Sequence, residues 1–177
     1  MDCGATCLAM IAKHYGKTYT IQKLREMCSA TRAGVSMLGI SDAAEKLGFK
    51  TIGVHLNFEK LAKEVPLPCI AHWKQEHFVV VYDIKEKGKG KKEKGESAKA
   101  RKQKAEGYVT VADPAHGLVK FTIEEFCNNW LSTKKSGEEE GIALLLEPTP
   151  AFYEQEDEKS DRTKFSYIFR YLKPYRK

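Results

Sequence analysis

No apolar run in this 177-residue sequence approaches the roughly 18 residues needed to cross a bilayer, so the chain by itself is not expected to span a membrane. The N-terminus has no basic segment followed by an apolar stretch, and no secretion signal is read there. Paired Cys-x2-Cys knuckles are missing too. The five cysteines, Cys3, Cys7, Cys28, Cys69 and Cys127, are scattered and odd in number. Such a set does not make a disulfide framework and fits free thiols in a reducing, cytosolic compartment. Cys3-x3-Cys7 and Cys69-x2-His72 have spacings that zinc accepts, but without paired knuckles no metal site is expected.

A basic excess spread along the chain is also lacking. The net charge is +6, yet residues 85–107 alone hold nine Lys and one Arg against four Glu, an excess equal to that of the whole chain. The remainder is balanced, so no specific nucleic-acid partner is expected. That segment, KEKGKGKKEKGESAKARKQKAEG, has no aromatic or large aliphatic residue. It cannot bury enough surface to order itself and is predicted to be a disordered insert at a hairpin tip.

What is present supports one domain with a sizeable core, since 42% of residues are hydrophobic. Residues 2–15 are predicted as a helix from Leu8, Ile11 and Tyr15 with small Ala5, Ala9 and Ala12 between them. A second helix, Thr20 to about Cys28, carries Ile21, Leu24, Met27 and Cys28 on one side, with Thr20 as cap. A third, about Ser36 to Leu47, turns Leu38, Ala43, Ala44 and Leu47 inward. Strand patterns follow in FKTIGVHL, PLPCIAHW, HFVVVYDI, GYVTVADP, LVKFTI and GIALLLEP, with short helices at NFEKLAKEV and EEFCNNW. Helices followed by a mostly antiparallel sheet indicate an α+β domain closing near Pro150. Residues 151–177 are expected to form an acidic linker and then, in FSYIFRYLKPYRK, the start of an interfacial helix.

Cys3 sits in the first turn of the first helix, where the positive end of the helix dipole favours a thiolate. Gly4 beside it is expected to leave room for a substrate backbone. His77, at the start of the Val-rich strand, is the candidate base, and Asp113, ending the next strand, is the candidate orienter. Each residue also has a bland use: packing for Cys3, a half-exposed strand position for His77, and a turn-forming Asp-Pro for Asp113. Together they make a nucleophile, base and orienter in a papain-like arrangement. Cys7, Cys28, Cys69 and Cys127 are assigned to packing. His14 and His116 are assigned to exposed surface and His55 to a strand face. His72 and Trp73 are placed at the core or the cleft rim.

DCGATCLAMIAKHYG, HFVVVYD and VADPAHG occur in an order that resembles the peptidase domain of bacteriocin-processing ABC exporters, and GVSMLGISDAAEKLGF fits the same pattern. The resemblance covers about residues 1–150. It implies a papain-like cysteine peptidase that removes double-glycine leader peptides from precursor peptides. The nucleophile would be Cys3, the base His77 and the orienter Asp113. The alternative is a domain that docks the leader without cutting it. No cofactor is implied for the peptidase itself, and ATP is expected only in a nucleotide-binding domain outside the chain. Implied partners are the leader-bearing precursor and the transmembrane and nucleotide-binding domains of the same exporter. The expected location is the cytoplasmic face of the bacterial cell membrane. The chain departs from the family in two ways. His77 and Asp113 are separated by the basic insert, and the Gln that the family places before the cysteine as an oxyanion donor is not among the two residues preceding Cys3. An oxyanion donor is typically worth about 10²–10³ in turnover, so truncation at both ends is the expectation.

Overall fold

A computed structural model describes residues 2–29, 34–86, 107–135 and 138–155. The disorder predicted for the basic insert, residues 85–107, falls outside this set except at Lys85, which is a paired strand residue, Glu86 and Gly107; the interfacial helix predicted after the acidic linker also falls outside it.

Three helices come first. In α1 (Cys3–His14), Cys7, Leu8 and Ile11 are fully buried. Helix α2 (Ile21–Met27) is capped by the Thr20 side chain, which accepts from the Lys23 N–H. Helix α3 (Met37–Lys46) is capped by Ser36, which accepts from Gly39 N–H at 3.0 Å. Leu38 does not face inward as expected: it is 70% exposed, and Ile40 is fully buried in its place. The periodicity explains this. Ile40, Ala43, Ala44 and Leu47 share one stripe, and Leu38 lies two residues from Ile40, about 200° around the helix. Ile21 is likewise more exposed than expected, and Leu24 carries the packing of α2.

The rest is an antiparallel sheet interrupted by short helices. The elements are β1 (Phe49–Leu56), α4 (Phe58–Glu64), β2 (Cys69–Trp73), β3 (His77–Lys85), β4 (Tyr108–Asp113), β5 (Gly117–Thr122), α5 (Ile123–Trp130), β6 (Leu131–Lys135), β7 (Glu138–Pro148) and α6 (Pro150–Glu154). The strand order is β1-β7-β2-β3-β4-β5, with β6 also paired to β7. Central strands are buried on both faces, which is why β3 reads as a continuous apolar run rather than an alternation. Phe78 and Val80 join the core under α1–α3, whereas Val79 and Val81 join a second core with Leu61, Phe126 and Trp130.

Two elements were not expected. Strand β6 (LSTKK) has no apolar alternation and forms by pairing with the charged start of β7. Helix α6 extends the packed chain past Pro150: Phe152 is fully buried against the helical layer. Thr149 bonds to the Gly48 carbonyl through both N–H and hydroxyl, at 3.0 and 2.6 Å. The Gln155 amide donates to the Lys46 carbonyl at 2.9 Å, and the Lys17 ammonium donates to the Gln155 carbonyl. Gly48 has φ +88, and a Cβ there would lie 2.5 Å from the Phe152 nitrogen, so the close approach needs glycine.

Candidate active site

His77 is the first residue of β3 and Asp113 the last of β4. The two strands are antiparallel neighbours, with Val80 opposite Ala112, so both residues come to the same end of the sheet. Lys85, the last residue of β3, pairs with Tyr108, the first of β4, at the opposite ends of these strands. His77 Nε2 lies 2.9 Å from Asp113 Oδ1, with the two side chains 20% and 14% exposed. The apolar Phe78-Val79-Val80-Val81 run that follows His77 is gripped on both faces, which fixes where the imidazole starts.

Asp113 collects more than one donor. Its Oδ1 also accepts from the Ala115 N–H at 2.8 Å, and its Oδ2 lies 3.0 Å from His116 Nδ1. Burial alone would raise the carboxyl's pKa. The bonds from Ala115, His77 and His116, together with the charge on His77, outweigh it and bring the group down from 3.8 to about 2. It is therefore a carboxylate at neutral pH, able only to accept hydrogen bonds. The proton between it and His77 must then sit on Nε2, which leaves Nδ1 of a neutral imidazole as the free basic nitrogen. His116 was read from the sequence only as an exposed surface residue. The signal for its contact was its position three residues after Asp113 in a turn, where the His116 N–H bonds to the Asp113 carbonyl at 3.2 Å.

Cys3 opens α1, and its side chain is part of the helical-layer core. The Asp2 side chain does not cap this helix; it pairs instead with Arg25 Nε at 3.0 Å. The first-turn N–H groups of α1 thus lack a side-chain cap from Asp2, and a helix start exposes donors that suit a developing anion. Gly4 has a different use from the one expected. A Cβ there would stand 2.7 Å from Ile40 Cδ1, so glycine makes room for α3 to pack against α1 rather than for a substrate. One turn on, Cys7 Sγ donates to the Phe78 carbonyl at 3.3 Å, tying α1 to the start of β3. Burial pushes the Cys7 thiol well up, and the charges of Cys3 and Asp113 add to this.

The other cysteines have no comparable surroundings. Burial pushes Cys28 up to about 11, Cys69 to about 12 and Cys127 to about 11, the last with help from Glu139. Cys3 and Cys7 lie in the first core, whereas Cys69 lies in the second and His72, three residues on along β2, faces the other way onto Phe78, so the Cys69-x2-His72 pair is split across the sheet. Among the described residues, no group of three or more His, Cys, Asp or Glu side chains is arranged to hold a metal ion. His14 and His55 are exposed. His72 lies against the Phe78 ring at 5.1 Å, and Trp73 packs between Phe121 and Phe126 in the second core.

Comparison with known proteins gives one consistent answer. Lactococcin-G-processing and transport ATP-binding protein LagD of Lactococcus lactis subsp. lactis is 40% identical over 134 residues, which is 73% of this chain and 16% of that protein. Mesentericin-Y105 transport/processing ATP-binding protein MesD of Leuconostoc mesenteroides is 29% identical over 173 residues, 93% of this chain and 20% of that protein. The chain thus spans about a fifth or less of these relatives. Among solved structures, a double glycine motif protease from an AMS/PCAT transporter, in complex with the leader peptide, superposes with a TM-score of 0.61. It is 33% identical and covers 83% of this chain and 84% of that one. The peptidase domain of Streptococcus ComA, a bi-functional ABC transporter involved in a quorum sensing pathway, gives a TM-score of 0.60 at 28% identity. That match covers 84% of this chain and 92% of that one. Residues 1–89, which include Cys3 and His77, match the family model of the peptidase C39 family. With the cysteine peptidase fold of those domains and this match over half its length, the chain belongs to the peptidase C39 family.

Proposed function

We propose that this chain is the leader-cutting domain of an ABC exporter, cleaving precursor peptides after a double glycine with Cys3 as nucleophile, His77 as base and Asp113 as orienter. The observation that carries the assignment is the 2.9 Å bond from His77 Nε2 to Asp113 Oδ1, made at the sheet end that α1 crosses. Support for the substrate comes from relatives that process and transport bacteriocins and from a solved relative bound to a leader peptide.

In this reading the free Nδ1 of His77 takes the Cys3 proton, and the Asp113 carboxylate holds and stabilises the imidazolium so formed. The thiolate adds to the carbonyl carbon after the second glycine. The tetrahedral oxyanion faces backbone donors at the start of α1, where a helix terminus stabilises negative charge. The intermediate collapses to a thioester as His77 gives its proton to the departing amine, which frees the cargo peptide. Water, deprotonated by His77, then hydrolyses the thioester and restores the thiol. The partners are the precursor peptide and the membrane and ATP-binding parts of the exporter. Among the described residues no helix is long and apolar enough to cross a membrane. The expected location is the cytoplasmic face of the membrane that holds the exporter.

The test is incubation of the natural chain with a Gly-Gly leader precursor, read by mass spectrometry. Cleavage after the second glycine, lost in Cys3→Ala, is expected. Leader binding without cleavage by the unmutated protein would instead establish a docking domain, and equal cleavage by Cys3→Ala would remove Cys3 from the role.

A further inference from the structure

Asp113 is held from two sides. One oxygen, Oδ1, takes His77 Nε2 and the Ala115 N–H, while the other, Oδ2, takes His116 Nδ1 at 3.0 Å. Without His116 the carboxylate would keep the backbone bond from Ala115 but could swing its second oxygen into water. The Asp113 side chain is 14% exposed and that of His116 is 74% exposed, so the tether leads from a sheltered carboxylate out to solvent. The titratable groups facing Asp113 are His77 from β3, Cys7 with Cys3 beside it from α1, and His116 from its own turn.

We propose that His116 is a positioning residue for the Cys3–His77–Asp113 site: it fixes the second oxygen of Asp113 and shares the carboxylate's charge with His77. The idea rests on the triad reading above but makes a claim of its own. A carboxylate serving two imidazoles stabilises a His77 imidazolium less than one serving His77 alone. Protonation of His116 from solvent therefore weakens the hold of the part-buried Asp113 carboxylate on His77. In its neutral form His116 donates Nδ1–H to Oδ2. In its protonated form it adds a positive charge that competes with the His77 imidazolium for the same carboxylate.

The test follows the imidazole signals of His77 by NMR through a pH titration, in the unmutated protein and in His116→Phe, His116→Ala and His116→Asn. Loss of the donor in the Phe and Ala variants is expected to move the His77 midpoint upward by about half a pH unit, the size expected for one exposed charge-assisted contact. In His116→Asn the amide nitrogen takes the place of Nδ1, and the midpoint should stay near that of the unmutated protein. Leader cleavage by the Phe and Ala variants should lose several-fold in kcat with KM unchanged, and Asn should restore it. An unmoved His77 midpoint in both donor-less variants, or an equal movement in the Asn variant, overturns the proposal. If the midpoint moves but no form of the protein cleaves a leader, the tether stands and the leader-peptidase reading fails.

Discussion

Cys7 Sγ donates to the carbonyl oxygen of Phe78 at 3.3 Å, so the helix that carries Cys3 is pinned to the residue that follows His77. The contact lies in the junction of α1 with β3, where Phe78 and Val80 share a core with Cys3, Cys7, Leu8 and Ile11. Sulfur makes weak hydrogen bonds, and the burial of Cys7 among aliphatic neighbours contributes more to the junction than the bond itself.

Cys7 is therefore a structural neighbour of the chemistry. Cys7→Ala should cost about 1–2 kcal/mol of stability, from lost packing and one weak bond. Leader cleavage should fall by less than about tenfold, against complete loss in Cys3→Ala. Denaturant unfolding and initial rates on the same preparations check both halves.

The orienting role proposed for Asp113, exerted through an oxygen that accepts from His77 Nε2, predicts a graded series. Asp113→Ala should lower kcat by about 10²-fold or more with KM within about twofold. Asp113→Asn should lose less, because an amide oxygen still accepts from Nε2–H. Steady-state kinetics on a Gly-Gly leader precursor decide it, and equal losses in the two variants would contradict an orienting role.

The same carboxylate links stability to acid. Its folded pKa of about 2 lies below the 3.8 of an unperturbed aspartate, so the folded state favours the ionised form. The contribution is fully present above about 3.8 and is lost as pH falls through about 2. Unfolding free energies measured from pH 6 down to pH 2 should show the gap between the unmutated protein and Asp113→Ala narrowing across that window. A gap that stays constant would mean that the carboxylate charge contributes nothing.

Gly141 offers a control against the second core, whereas Cys3 lies in the first. A Cβ there would lie 2.3 Å from Cε2 of the fully buried Trp130, whose Nε1 donates to the Ile142 carbonyl at 3.0 Å. Gly141→Ala must displace that ring and should lower the unfolding midpoint by roughly 3–10 °C. Alkylation of Cys3 at temperatures where the variant remains folded should be unchanged.

The candidate site was legible because it is written in short local signals. Cys3 sits at a helix start, His77 opens a doubly buried Val run, and Asp113 is stopped by Pro114. Each of these is fixed by neighbours within a few residues. The helices were legible for the same reason: Thr20 caps α2 as expected, and the side chains of Ser36 and Asn57, at the starts of the next two helical patterns, cap them as well. Long-range contacts were not. Leu38 looked like core by composition, yet only the stripe through Ile40 meets the rest of the molecule. Strand β6 exists because β7 is there to pair with it, and Phe152 is buried because Gly48, more than a hundred residues earlier, lets it approach. Gly4 next to a candidate nucleophile invited a substrate reading, and only Ile40 showed what the missing side chain was for. The basic charge run that dominates the composition joins β3 and β4 at the end away from His77 and Asp113.

The fastening of residues 149–155 has a mechanical consequence. Lys17, Lys46 and Gly48 grip that segment, and all three belong to the layer of α1–α3 and its exits. Helix α1 is 12 residues long, so the thiol at its first residue stands about 18 Å from the turn that leads to Lys17. Tension arriving through the chain beyond Gln155 would load the helical layer at the far end of α1 from Cys3. The load meets these bonds before it meets β7, which stands two strands from β3 in the sheet. A domain strapped in this way takes a pull from its C-terminal side first at Lys17, Lys46 and Gly48, ahead of the strands that carry its imidazole and carboxylate.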